Sequence, residues 1–372
     1  MPMSLTVPPT IAVPALERRS RYTACLLGGA IGDALGAPVE FMSRQEILRR
    51  FGPGGIRDHA SAYGRTGAIT DDTQMTLFTA EGLLRAAAAG HPPGHRARVA
   101  EVAAAYQRWL LTQDEDPARH ADAGGLLGIA ALHSRRAPGT TCLAALRQVG
   151  ARGSREIVVA RGRSRNGEPG ADLRAKNNSK GCGGVMRVAP AGLLLTGLIA
   201  DEALLVREAF ALGSDLAALT HGHPSGCLPA GVLAAVIALL VREVPLRDAL
   251  ARTKPVLATR ADCEETLAAI TAAERLASQG AANHDTLAQL GGGWVGEEAL
   301  AISLYCALAA PDLESAVVLA VNHAGDSDST GAITGNLCGA AAGMDALPVR
   351  WLEVLELDRT TRELALALCA VG

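Results

Sequence analysis

The sequence predicts an all-α protein, on three observations. Hydrophobic residues make up 49% of the 372-residue chain but aromatics only 3%. The core must therefore be built of Ala, Leu and Val, which suits closely packed helices better than sheets of aromatic and β-branched residues. Helix start and stop signals recur along the chain. Period-two alternation is almost missing, with IVVA at 157–160 the one short strand candidate.

The elements follow in order. Residues 1–20 read as a flexible N-terminal arm, because prolines interrupt the apolar part and the charges come after it, unlike a secretory leader. Residues 21–372 then form a single domain with no solenoid repeat. In LLGGAIGDALGAP, Gly28, Gly32 and Gly36 stand four apart, on one face of a helix. Ser43 and Glu46 form a capping box ahead of Ile47 and Leu48. Residues 73–89 read as a helix stopped by Gly90 and the Pro92–Pro93 pair. Further helices are expected over 98–111, 201–212, 228–242, 262–278, 296–309, 312–322, 329–342 and 359–369. The polar stretch from Gly150 to Lys180 is a long loop, and loops of that length in a compact domain are often functional.

The last glycine series, Gly331, Gly335, Gly339 and Gly343, forms a second stripe. Each helical glycine costs about 0.5–1 kcal/mol against alanine, a cost usually offset by close approach of another backbone. The two striped helices are therefore expected to be central and to pack on each other.

Bulk properties exclude several roles. A net charge of −3 argues against a dedicated nucleic-acid binder. The longest apolar run, Leu228 to Val241, is too short to span a bilayer and reads as a buried helix. The eight cysteines are scattered without a C-x-x-C pair, the pattern of reduced thiols in a cytoplasmic protein.

Two acid clusters stand at helix starts: Thr70-Asp71-Asp72-Thr73 and Asp326-Ser327-Asp328-Ser329. Either one alone reads first as a helix cap. A cap needs one short acceptor, however, and crowded carboxylates repel unless a cation neutralises them. Hard oxygen donors of this kind suit Mg²⁺ or Mn²⁺ rather than zinc. The H-x-H of His221 and His223 lacks the partners of a zinc site and reads as a loop or substrate contact.

Together, GDALGAPVEF (32–41), TDDTQ (70–74), NNSKGCGGVMRVAP (177–190), THGHP (220–224), GGGWVGEEAL (291–300) and GDSDSTGAITGNLCGA (325–340) resemble the ADP-ribosylglycohydrolases. These ADP-ribosyl hydrolases include the dinitrogenase reductase-activating glycohydrolase, and the resemblance runs from about Tyr22 to the C-terminus. It implies an all-α fold around a binuclear Mg²⁺ site in which Mn²⁺ can substitute. Carried over by motif, Thr70, Asp71 and Asp72 are one set of ligands, and Asp326, Asp328 and Ser329 are the other. Asp71 or Asp72 would move the proton, and Glu40 matches a glutamate near the substrate. Ser179, Gly181, Cys182, Gly183 and Gly184 match a diphosphate-binding loop, with Cys182 standing where the family often has Asn. His221 matches a histidine beside the ribose or adenine end.

The implied reaction is hydrolysis of the N-glycosidic bond between ADP-ribose and a protein side chain, with arginine the expected linkage. Arginine also asks for a carboxylate to hold the guanidinium, and Asp122 is the candidate by position. The implied partners are an ADP-ribosylated protein and ADP-ribose, with no membrane. Three other readings stay open. One is an immunity protein whose arm plugs an ADP-ribosylating toxin. Another is a non-catalytic relative, against which the intact acid clusters argue. The last is a hydrolase of serine-linked, O-acetyl- or nucleic-acid-linked ADP-ribose.

Overall fold

The computed structural model describes residues 15–89, 95–151 and 173–371. They form an all-α body, and the only strands described are two-residue pieces, Ser61–Ala62 and Arg65–Thr66, paired in a hairpin. The strand candidate at 157–160 lies outside the described residues, as do residues 1–14.

The first helix runs Ala15–Gly36. It already includes residues 15–20, so the end of the expected arm belongs to it. The capping box at Ser43 and Glu46 is formed and starts the helix Arg44–Phe51. The helix Asp71–Ala88 is capped by Thr70, and His95–Asp114 follows it. Asp201 caps Glu202–Ala218, and Asp312 caps Leu313–Val321. The apolar run is a helix, Pro224–Leu240, buried on nearly every side, which explains why its pattern shows no polar face. Glu264–Ala277, Gly296–Ala309, Ser327–Ala342 and Asp358–Val371 complete the expected set. Three longer helices appear beyond it: Thr140–Ala151, Ala189–Leu198 and Leu246–Leu257. Among the described residues no helix is long and apolar enough to cross a membrane. All eight cysteines are free thiols.

The glycine stripes meet. A β-carbon added at Gly28 would strike the carbonyl of Gly335, and one at Gly32 would strike that of Gly331. One at Gly36 would meet the backbone of Ser327 and Asp328, and one at Gly339 that of Ala24. Pairs 24–339, 28–335, 32–331 and 36–327 run in opposite order, so the two helices are antiparallel and touch main chain to main chain. Gly343 departs from the expected stripe. It follows the helix at φ +78°, the left-handed conformation that ends helices and favours glycine.

This seam positions the site. It sets the C-terminal end of the first helix, with Asp33 and the turn carrying Glu40, beside the N-terminus of Ser327–Ala342, where Asp326 and Asp328 sit.

Candidate active site

Asp33 connects the seam to the second acid cluster. Its carboxylate, wholly buried, accepts hydrogen bonds from Thr70 N at 3.0 Å, Thr73 N at 3.0 Å and Thr73 Oγ1 at 2.5 Å. It thus serves the free N–H groups at the start of Asp71–Ala88 from a neighbouring helix. Behind the same turn, Glu356 Oε2 accepts from Ile69 N at 3.2 Å, and Arg136 Nη1 donates to Ile69 O at 2.8 Å. Arg136 and Glu356 are both buried and paired, so the turn preceding Thr70 is held on both of its polar sides.

The result is a concentration of buried acid. Asp71, Asp72, Asp326, Asp328 and Glu40 are each less than a tenth exposed. Carboxylate oxygens of Glu40, Asp326 and Asp328 lie within 4.8 Å of one another. Burial, and then repulsion from Asp328, holds the Asp71, Asp72 and Asp326 carboxyls well above their ordinary range. The same two causes push Asp33 up to about 7 and Glu40 up to about 11. Asp72 Oδ1 and Glu40 Oε2 are buried and have no hydrogen-bond partner. Orphaned carboxylate oxygens inside a cluster of like charge are what a cation site requires, so the residues fit a divalent metal. Thr70 Oγ1 lies 3.4 Å from Asp72 Oδ2, and Ser329 Oγ is buried beside Cys182, so the expected hydroxyl donors stand in the same place.

The cluster forms the floor of a cavity of about 650 Å³. Glu40, Asp71, Asp72, Asp326, Asp328 and Ser329 line it, as do Gly181, Cys182, Gly183 and His221. The structure therefore brings most of the sequence-derived site residues to one cavity. Thr70 lies directly behind the floor. Ser179 is beside the wall, where it shares a hydrogen bond with Thr141 at 3.0 Å. Gly184 is buried against Gly226 O and Ala217 Cβ, where a side chain would collide. Asp122 is not brought in: it is exposed, follows the short turn Pro117–His120, and is not among the cavity-lining residues.

The 179–184 loop does not offer all its N–H groups to a phosphate. Gly181 N donates to Ser179 Oγ at 3.3 Å and Cys182 N to Trp294 O at 3.2 Å. Burial, and then the charge of Arg187, lowers His221 to about 3, so the imidazole is neutral. Thr220 Oγ1 accepts from Arg187 Nη2 at 2.6 Å and stands 2.9 Å from His221 Nδ1. Thr220 therefore engages His221 Nδ1, and Nε2 is the other ring nitrogen. A β-carbon at Gly181 would lie 3.1 Å from that Nε2, so this nitrogen faces the glycine loop.

Several wall residues were not anticipated. Phe41 and Trp294 stack at the mouth with centroids 5.9 Å apart, and both are exposed. Arg135 and Cys142 also line the cavity. Gly139 N donates to Asp71 Oδ2 at 3.3 Å and fixes that carboxylate. Asp33 was the most findable of the missed residues, as an acid inside a glycine-striped helix.

The ADP-ribosylglycohydrolase family model matches residues 14–372. The chain is 26% identical over 358 residues to the ADP-ribosyl-[dinitrogen reductase] glycohydrolase of Rhodospirillum rubrum, covering 95% of this chain and 96% of that one. It is 28% identical over 358 residues to an uncharacterized protein of Archaeoglobus fulgidus, covering 93% and 94%. A solved ADP-ribosylglycohydrolase-related protein complex superposes with a TM-score of 0.63 at 26% identity, covering 96% of this chain and 99% of that chain. The chain belongs to the ADP-ribosylglycohydrolase family, and it is a glycohydrolase of the ADP-ribose glycosidic bond.

Proposed function

We propose that the chain removes ADP-ribose from arginine side chains of modified proteins, using two Mg²⁺ ions, with Mn²⁺ able to substitute. The carrying observation is the buried carboxylate cluster of Glu40, Asp326 and Asp328, with oxygens within 4.8 Å and an orphaned Glu40 Oε2, on the floor of the cavity. Thr70, Asp71, Asp72, Asp326, Asp328 and Ser329 would hold the ions. When bound, the ions would fix the ribose hydroxyls and lower the pKa of a coordinated water.

The chain's own residues supply the rest. Asp71 or Asp72 moves the proton, since both line the cavity beside the cluster. The glycine loop, with His221 Nε2 facing it, takes the diphosphate, and Arg135 adds a positive charge to the same wall. The stacked Phe41 and Trp294 border the opening beside Glu40, where the modified side chain must leave.

The test is hydrolysis of arginine-linked and serine-linked ADP-ribosyl peptides by the pure protein, with Mg²⁺ and with chelator. Release from arginine that stops in chelator and returns with Mg²⁺ supports the reading. Undiminished activity after exhaustive chelation, or release from serine alone, overturns it.

A further inference from the structure

The Cys182 thiol stands at the edge of the acid cluster. Its Sγ lies 2.7 Å from Asp326 Oδ2 and 3.7 Å from Ser329 Oγ. The same Asp326 shares the 4.8 Å carboxylate cluster with Glu40 and Asp328. Glu40 is only 6% exposed, and its Oε2 has no hydrogen-bond donor. The sulfur thus abuts one of three clustered buried carboxylates, Asp326, and another of them, Glu40, has an oxygen that only a cation or a donor from outside could satisfy.

The spacing of sulfur and carboxylate is built into the main chain. Cys182 N donates to Trp294 O at 3.2 Å, and Asp326 N donates to Gly292 O at 2.8 Å. Both residues therefore hang from the same short segment, Gly292–Trp294. That segment is fixed in turn by Glu298 Oε2, which accepts from Gly292 N at 3.0 Å and Gly293 N at 3.1 Å. Two atoms held so close by separate backbone anchors can serve as neighbouring donors to one ion.

We propose that Cys182 is a sulfur ligand at this corner of the metal centre, and that it gives the site a higher relative affinity for thiophilic divalent cations such as Zn²⁺ and Co²⁺ than an all-oxygen set would have. On binding, the S–H bond breaks, the sulfur electron pair goes to the cation, and the proton leaves to solvent. No electrons are transferred. Thiolate favours zinc-like ions, whereas carboxylate and hydroxyl oxygens favour Mg²⁺. Mg²⁺ then uses the oxygens alone, and a thiophilic cation competes for the same place through the sulfur. This rests on the metal-centre reading above and adds its selectivity.

The experiment uses the full chain and cobalt as the probe. Metal-free wild type and Cys182→Ser, which keeps a donor to Asp326, are titrated with Co²⁺ and followed by absorbance and thermal melting. The expected result is a thiolate-to-cobalt charge-transfer band in the near ultraviolet in wild type only. Co²⁺ and Mg²⁺ should still raise the Tm of both proteins, and the Zn²⁺-over-Mg²⁺ affinity ratio should fall roughly 10- to 100-fold in the variant. The proposal is overturned if Co²⁺ raises the wild-type Tm without a band, or if the band persists in Cys182→Ser and so comes from another thiol. Should Cys182→Ser fail to fold, as read by its helical spectrum, the wild-type spectrum and labelling decide. Co²⁺ or Zn²⁺, but not Mg²⁺, must then protect Cys182 from alkylation as mapped by mass spectrometry, and failure to protect it overturns the proposal. If no divalent cation shifts the Tm at all, the metal-centre reading fails and this inference falls with it.

Discussion

Gly28 and Gly335 each occupy the space that the other's β-carbon would need. A side chain at either would run into the main-chain carbonyl of its partner. Gly335→Leu must therefore separate two helices that now touch, and should destabilise the protein by about 1–3 kcal/mol or more. Gly54→Ala is the control, because a β-carbon there meets only Arg57 Cδ at 3.5 Å and the backbone is not left-handed. Its melt should stay within about 0.5 kcal/mol of wild type. An unchanged Tm in Gly335→Leu would show that the seam is looser than described.

Asp33→Asn tests the bridge between the seam and Asp71–Ala88. The carboxylate accepts from Thr70 N, Thr73 N and Thr73 Oγ1, and an amide must replace one accepting oxygen with a donor. Loss of about 1–3 kcal/mol is expected. The rise in Tm on adding Mg²⁺ or Mn²⁺ should shrink as well, because Asp71 and Asp72 lose their fixed starting point. A variant with wild-type stability and wild-type metal response would remove Asp33 from this role.

The pH dependence of the metal-free protein follows from the direction of the acid shifts. Asp33 is raised to about 7, by burial and then by Asp328. An acid raised in this way contributes stability that is whole below its unfolded pKa of about 4 and is lost as pH climbs through its folded value. In chelator, the stability of wild type relative to Asp33→Asn should therefore fall between about pH 4 and about pH 8. The comparison cancels the opposite slope from buried histidines such as His221, lowered to about 3. A cation reverses the dependence, since it binds carboxylates that have lost their protons. The Mn²⁺-induced rise in Tm should be larger at about pH 8 than at about pH 5. Equal rises at both would contradict a carboxylate metal centre.

Asp122 and Asp326 should part company in an assay. Asp122 is exposed and is not among the cavity-lining residues, so Asp122→Asn should change kcat/KM on an arginine-linked substrate by no more than about twofold, the scale of a surface substitution. Asp326→Ala should abolish both turnover and the metal-dependent rise in Tm, while the helical spectrum persists. A large loss in Asp122→Asn would mean that the exposed turn closes over the substrate.

Breaking the buried pair behind the Thr70 turn should be costly. Glu356→Ala leaves Arg136 charged and 5% exposed without its carboxylate, a change typically worth about 3–5 kcal/mol. Thermal melting checks this. A mild effect would mean that water or Ser134 Oγ, already 3.0 Å from Arg136 Nε, takes over the charge.

Helices with a distinct start were legible in the sequence. Thr70, Asp201 and Asp312 each cap where their residue type says they should. Two of the three helices not anticipated lack such a signal. Ala189–Leu198 carries Pro190 and two glycines and is buried along most of its length, so tertiary packing outweighs its weak propensity. Leu246–Leu257 starts at Pro245 without a side-chain cap and contains Pro255. At the site, the acids could be read because two short motifs repeat one chemistry. Phe41, Arg135, Cys142 and Trp294 could not, because each stands alone in the chain and acquires its meaning only where separate segments fold together. Cys182 was visible as a departure from the related sequences, but nothing in the sequence pointed to Asp326, 144 residues away, as its neighbour.

The glycine seam also settles which parts of the molecule are free to drift. Metal donors must hold their mutual positions to a fraction of an ångström, whereas a core of Ala, Leu and Val accepts many exchanges of similar volume. Here the acids of two distant motifs are spaced by direct contact of main chains, which have no rotamers to choose among. The surrounding core can therefore accumulate substitutions without shifting the clustered acids, while a single methyl group at Gly28, Gly32, Gly331 or Gly335 would wedge them apart. Tolerance to mutation in this protein should follow distance from that contact line more closely than distance from solvent.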